Sequence, residues 1–246
     1  MKNTEAHLEH TAAADQLAAR RELLRLYEQT PLPPDDLAFN LGLYARSGLL
    51  VKFLVMYDIY RRFLNVPGVM VEFGVWWGQN AVLLENLRAI LEPFNKTRRY
   101  IGFDTFEGYR EGKYADTGIY ETGRAHIDYL AKLLKCHQQM NVYGHQDVDH
   151  VLIPGDVTET AEKYFDANPH LIVAFACFDL GPYLPTLAAM EAIQPHLVPG
   201  SVLLLDELTL DDTPGEALAF FEVFGSSGYR LEKVALYPSK SIAVIE

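Results

Sequence analysis

From residue 69 to the C-terminus, short apolar runs alternate with segments of helical period. Apolar β-type runs fall at 69–75, 99–103, 151–153, 170–178 and 201–206, and helical patterns at 79–92, 124–136, 159–167, 182–194 and 214–225. The segment 124–136 shows the rule: Ile127, Leu130, Leu133 and Leu134 recur at the spacing of one helical face. The run His170-Leu-Ile-Val-Ala-Phe-Ala-Cys-Phe178 is apolar throughout, as a central parallel strand covered on both faces must be. Two further β-like stretches, 229–236 and 240–245, meet around Pro238-Ser-Lys240 and predict an antiparallel hairpin at the sheet edge.

Turn and cap residues punctuate this rhythm. Pro67-Gly68 and Val198-Pro-Gly200 predict turns into strands, and Thr158 is the expected N-cap of the helix after Gly155-Asp156. Thr213-Pro-Gly-Glu216 has capping-box spacing, with Pro at the first helical position. Before residue 67 the pattern is helical: a polar lead and a helix to about residue 30, a break at Pro31-Leu-Pro-Pro-Asp35, then a helical region to Leu64 interrupted near Arg46-Ser-Gly48. The later half of that region is apolar on more than one face, which suits packing beside the sheet or against a subunit. The expected organisation is a helical extension or cap over 1–66 and one α/β domain over 67–246, a doubly wound, mostly parallel sheet with a C-terminal antiparallel hairpin.

Composition narrows the function. With 246 residues, 49% of them hydrophobic, the chain can bury a large core. Its net charge of −12 argues against nucleic acid, whose phosphates need clustered Lys and Arg. The small basic clusters, such as Lys96 with Arg98-Arg99, are expected on solvated faces or helix ends. No stretch reaches the roughly 18 apolar residues of a membrane span. The polar start carries no secretory signal, and the two cysteines, Cys136 and Cys177, form no framework, so a reducing cytoplasm is expected.

The chemistry gathers where strands end. Val69-Met-Val-Glu-Phe-Gly-Val-Trp-Trp-Gly78 ends a strand in Glu72, Gly74 and Gly78, and Gly102-Phe-Asp-Thr-Phe-Glu-Gly108 ends the next at Asp104. Glycines admit a cofactor close to the backbone, and an acid after the second strand can hold two ribose hydroxyls. The spacing E-x-G-x-x-x-G, rather than G-x-G-x-x-G, points from a dinucleotide toward S-adenosylmethionine, which has no phosphate to seat on a helix end. Gly155-Asp156 adds a third strand-end acid, for the adenine amino group or an Asx turn. Asn80, Thr105 and Val157 flank these positions and complete the expected cofactor wall.

Asp179 and Asp206-Glu207 each follow a long apolar strand. Gathered in one crevice they would repel one another, and a hard cation such as Mg²⁺ would neutralise them while leaving positions for substrate hydroxyls. The alternative has Asp179 bonding a backbone turn and Glu207 facing solvent. No His/Cys spacing fits zinc. The long segment 105–123 carries Tyr109, Tyr114 and Tyr120, a candidate lid, an oligomer contact or a disordered surface loop. Trp76-Trp77 suit stacking on the cofactor, a lid over the site, or core packing. His145 and His150 are weak general-base candidates.

Six blocks in order resemble the macrocin O-methyltransferase (TylF/MycF/NovP-like) family of class I S-adenosylmethionine-dependent sugar O-methyltransferases. They are Val71–Gly78, Gly102–Gly108, Gly155–Thr160, Phe178–Thr186, Leu197–Gly200 and Leu205-Asp-Glu207. The resemblance implies a Rossmann-like fold, cofactor contacts at Glu72, Asp104 and Asp156, and a divalent metal on Asp179, Asp206 and Glu207. Two departures stand out. The family's second acid of Asp-x-Asp, a candidate general base, is Gly181 here, and its Arg-Gly-Gly is Trp77-Gly78-Gln79.

The expected activity is methyl transfer to a deoxysugar hydroxyl on a small-molecule glycoside or nucleotide sugar, with Asp179 catalytic, in a homo-oligomer. A non-catalytic methyltransferase-like binding protein, which the loss at Gly181 would favour, and an NAD-dependent oxidoreductase are the alternatives.

Overall fold

The computed structural model describes residues 13–109, 118, 120–141, 148–210 and 213–246. The N-terminal segment forms α1 (Ala14–Glu28), α2 (Pro34–Phe39), a 3₁₀ turn (Leu41–Tyr44) and α3 (Ser47–Phe63). Strands and helices then alternate: β1 (Val69–Phe73), α4 (Gln79–Leu91), β2 (Tyr100–Asp104), α5 (Arg124–Asn141), β3 (Val151–Pro154), α6 (Val157–Asp166), β4 (Val173–Phe178), α7 (Tyr183–Ile193), β5 (Leu197–Leu205), α8 (Gly215–Phe224), β6 (Tyr229–Lys233) and β7 (Ser241–Ile245).

The strands form one sheet in the order β3-β2-β1-β4-β5-β7-β6. β1 to β5 run parallel, and β7 lies antiparallel between β5 and β6. The order reverses beside β1, so the connections leaving β1 and β4 turn to opposite faces and open the crevice where α/β sheets bind ligands.

Alternate strand residues face opposite layers, which builds two cores. Met70, Phe175, Val202 and Leu204 pack with α3, α4 and α5, whereas Val71, Phe73, Ile101 and Leu203 pack with α6, α7 and α8. One face of α3 enters the first core through Val55, Met56, Ile59, Tyr60 and Phe63, the last with its ring stacked 5.0 Å from that of Phe175. Its other face leaves Leu50, Phe53, Leu54 and Tyr57 exposed. The apolarity on more than one face is thus half accounted for within the chain.

Several local expectations are corrected. The helix predicted over 124–136 runs on to Asn141. Asp156, not Thr158, caps α6, accepting the Thr158 backbone N–H at 3.0 Å. Val198-Pro-Gly200 lies inside β5, where a register shift opposite Val173 and Phe175 and a φ of +93° at Gly200 absorb the kink. The capping box at Thr213 does not form: Gly215 opens α8 behind Pro214, which makes no side-chain cap, and Glu216 turns inward instead.

Arg98 is a further correction, because it is buried rather than solvated. It pairs with Glu92 at 2.8 Å and donates to the carbonyls of Gly68 and Leu64 at the entry to β1. Arg88 is likewise buried on Glu85, which also meets His150 Nε2 at 2.8 Å. The His150 Nδ1 accepts the Tyr100 backbone N–H at 3.0 Å, so this histidine braces β2 and is no general base. His145 and Tyr114 fall outside the described residues.

Candidate active site

The β1–α4 turn needs backbone that only glycine enters freely. Gly74 sits at φ +94°, and a Cβ there would meet the Asp179 carbonyl oxygen at 2.1 Å. Gly78 sits at φ +78°, with Leu130 of α5 where its side chain would be, so its role is to seat the start of α4. Between them Trp76 holds a left-handed φ of +49°, a strained state that surrounding bonds must enforce.

Asp104 supplies those bonds. Its Oδ2 accepts the backbone N–H groups of Val75 and Trp76, each at 2.7 Å, and its Oδ1 accepts that of Phe106 at 2.7 Å. The acid expected on the ribose therefore also fastens the glycine turn.

Glu72, Gly74, Asn80, Trp76, Trp77 and Asp179 line a cleft of about 280 Å³. Glu72 is buried and accepts hydrogen bonds from the Asn80 amide at 2.6 Å and from the Tyr100 hydroxyl. Burial pushes its carboxyl up to about 7, against these two donors. Asn80 Oδ1 is enclosed in this cleft without a hydrogen-bond partner among the described residues, an acceptor available to a ligand N–H. Solvent reaches Asp179 through the cleft mouth, yet protein surrounds it closely enough that burial raises its carboxyl pKa.

On the far side of the Asp104 turn, Thr105 and Gly155 line a second cleft of about 240 Å³ with Arg124 and Ile127. The predicted cofactor positions thus divide. Glu72, Gly74, Asn80 and Asp179 share one cleft, Thr105 and Gly155 share the next, and Asp104 lies between them. Asp156 Oδ1 is spent on capping α6, and the Val157 side chain packs in the core.

The expected metal cage is not found. Among the described residues no three His, Cys, Asp or Glu side chains converge on a cation position. Asp206 is ion-paired with Lys240, an ammonium that lies close enough to Asp179 to oppose the rise in its pKa. Asp179, Asp206 and Glu207 as arranged therefore do not fit Mg²⁺. Glu207 instead places Oε2 3.4 Å from where a side chain on Gly181 would begin, so position 181 adjoins a carboxylate despite lacking one.

Glu216, missed in the sequence, organises this corner. Its oxygens accept the backbone N–H groups of Asp206 at 3.2 Å and Glu207 at 2.9 Å. At the mouth Trp76, Trp77, Tyr109 and Tyr120 form a chain of rings, with Trp76 and Tyr120 centroids 5.7 Å apart and Tyr109 and Tyr120 5.1 Å apart. The two tryptophans are half-exposed, which decides against core packing.

Sheet order, glycine turn and acidic cleft together define a class I methyltransferase fold. No family model matches the chain. It is similar over 95% of its length to the apo structure of CalS11, a TDP-rhamnose 3'-O-methyltransferase of calicheamicin biosynthesis, with 33% identity, TM-score 0.84 and 95% of that chain covered. A second CalS11 structure gives 34% identity and TM-score 0.88 over 93% of its chain. The structure of the O-methyltransferase NovP shares the fold, at 14% identity and TM-score 0.60 over 79% of each chain. A curated relative from Streptomyces olivaceus, 8-demethyl-8-(2,3-dimethoxy-alpha-L-rhamnosyl)-tetracenomycin-C 4'-O-methyltransferase, is 27% identical over 151 residues, 60% of this chain and 55% of the relative. The chain belongs to the sugar O-methyltransferase family that CalS11 represents.

Proposed function

We propose that this protein transfers the methyl group of S-adenosylmethionine to a hydroxyl of a deoxysugar, carried on a nucleotide or on a natural-product glycoside, and that it falls in the macrocin-type group. The observation that carries this reading is the cleft joining Glu72, Gly74, Asn80 and Asp179 at the tips of β1 and β4, in a chain alike to CalS11 over nearly its full length.

Gly74 lets the backbone of Asp179 close up beside the cleft, and Asn80 Oδ1 and the two acids suit the ammonium of the donor's methionine end. Methyl transfer is an in-line displacement, so holding oxygen, methyl carbon and sulfur collinear supplies most of the rate. Asp179 opens to the same cleft with its pKa raised above the ordinary aspartate value, and we assign it the acceptor's proton. The ring row from Trp77 to Tyr109 borders the mouth where a sugar face would lie. The outward face of α3 is the surface we assign to self-association.

The test is mass spectrometry of S-adenosylmethionine incubated with the protein and a panel of TDP-deoxysugars and rhamnosides. The expected result is a singly methylated sugar, reduced about 10²- to 10⁴-fold by Asp179→Asn. Donor binding without transfer to any acceptor would support the binding-protein reading instead.

A further inference from the structure

Lys52 lies on α3, well before the first strand, yet it lines the cleft shared by Glu72, Gly74, Asn80 and Asp179. It is the one cation among the described residues lining that cleft. It is half-buried and makes no ion pair among the described residues. Lys240 acts more strongly on Asp179 but is ion-paired with Asp206, whereas the charge of Lys52 acts on both cleft acids, opposing the rise that burial imposes on Glu72 and Asp179.

The methionine end of the proposed donor is a zwitterion. Its ammonium is matched by two carboxylates and by the Asn80 oxygen. Its own carboxylate, entering a cleft that already holds two acids, would be repelled unless a cation met it. We propose that Lys52 is the residue that binds the donor's α-carboxylate, so that the helix before the first strand is part of the cofactor site. This rests on the S-adenosylmethionine reading. It makes Lys52 a specificity-determining residue: the cleft selects the complete amino acid, not merely the adenosyl sulfonium.

The test uses two ligands that differ only in that carboxylate, S-adenosylmethionine and its decarboxylated analogue, titrated by calorimetry into the full chain without acceptor. Both carry the sulfonium and the ammonium, so the difference between their affinities reads the carboxylate. The unsubstituted protein is expected to prefer S-adenosylmethionine by about 10- to 100-fold. Lys52→Met should bring the two affinities within about threefold by weakening S-adenosylmethionine alone, and Lys52→Arg should restore most of the preference. Equal weakening of both ligands, or an unchanged preference, would overturn the assignment. If the unsubstituted protein binds neither ligand, the donor reading fails and this assignment with it. A thermal midpoint on each variant confirms that the fold is kept.

Discussion

Gly74 and Asp179 touch backbone to backbone: a Cβ on the glycine would stand 2.1 Å from the aspartate carbonyl. The Asp179 N–H in turn donates to the Phe73 carbonyl at 2.9 Å, so the tips of β1 and β4 are locked together just where the cleft begins. Gly74→Ala meets both this collision and a φ of +94° that a side chain resists. The expected cost is about 1–3 kcal/mol of stability, with at least about a tenfold loss in S-adenosylmethionine affinity as the tips part. Urea unfolding and calorimetry on the one variant measure both.

Two of the buried glutamates, Glu72 and Glu216, give stability a pH dependence whose sign is fixed. Burial pushes Glu216 up to about 8 and Glu72 up to about 7 from 4.5. The folded protein keeps protons that the unfolded chain has released, so this contribution is complete below 4.5 and is lost as pH rises through 7 and 8. Glu216→Gln, which cannot ionise, should flatten the profile, narrowing the loss of stability between about pH 5 and about pH 9 by at least about 1 kcal/mol. Urea midpoints at the two pH values read this directly, and an unchanged slope would show that Glu216 ionises normally in the fold.

The buried pair of Arg88 and Glu85 is asymmetric under mutation. Arg88→Met removes two hydrogen bonds of 2.8 Å and leaves Glu85 in the interior with His150. The expected loss is about 3–5 kcal/mol, whereas Arg88→Met combined with Glu85→Leu should recover part of it, because no orphan charge remains. Denaturant unfolding of the single and double variants checks the difference.

The alternation of strands and helices was legible because each central strand is an unbroken apolar run and each helix shows a periodic face. Glu72, Asp104 and Asp179 were legible as strand-end acids for the same reason. What the chain does with buried charge was not. Arg98 and Lys96 look alike in sequence, and only Glu92, folded back beside α3, draws the arginine inside. Glu216 matches a capping signal, yet the unmet N–H groups at the end of β5 compete for its carboxylate and win. Lys240 is remote in sequence from Asp206 and reaches it through the antiparallel pairing of β7 with β5, so the three carboxylates expected to hold Mg²⁺ include one already paired.

The stacking of Phe63 on Phe175 and the grip of Arg98 on the carbonyls of Leu64 and Gly68 have a practical corollary for anyone trimming this chain. A recombinant fragment begun at Val69 would bare an oily flank beneath the middle of the sheet and strand an arginine in it. The smallest piece worth expressing starts ahead of Ser47.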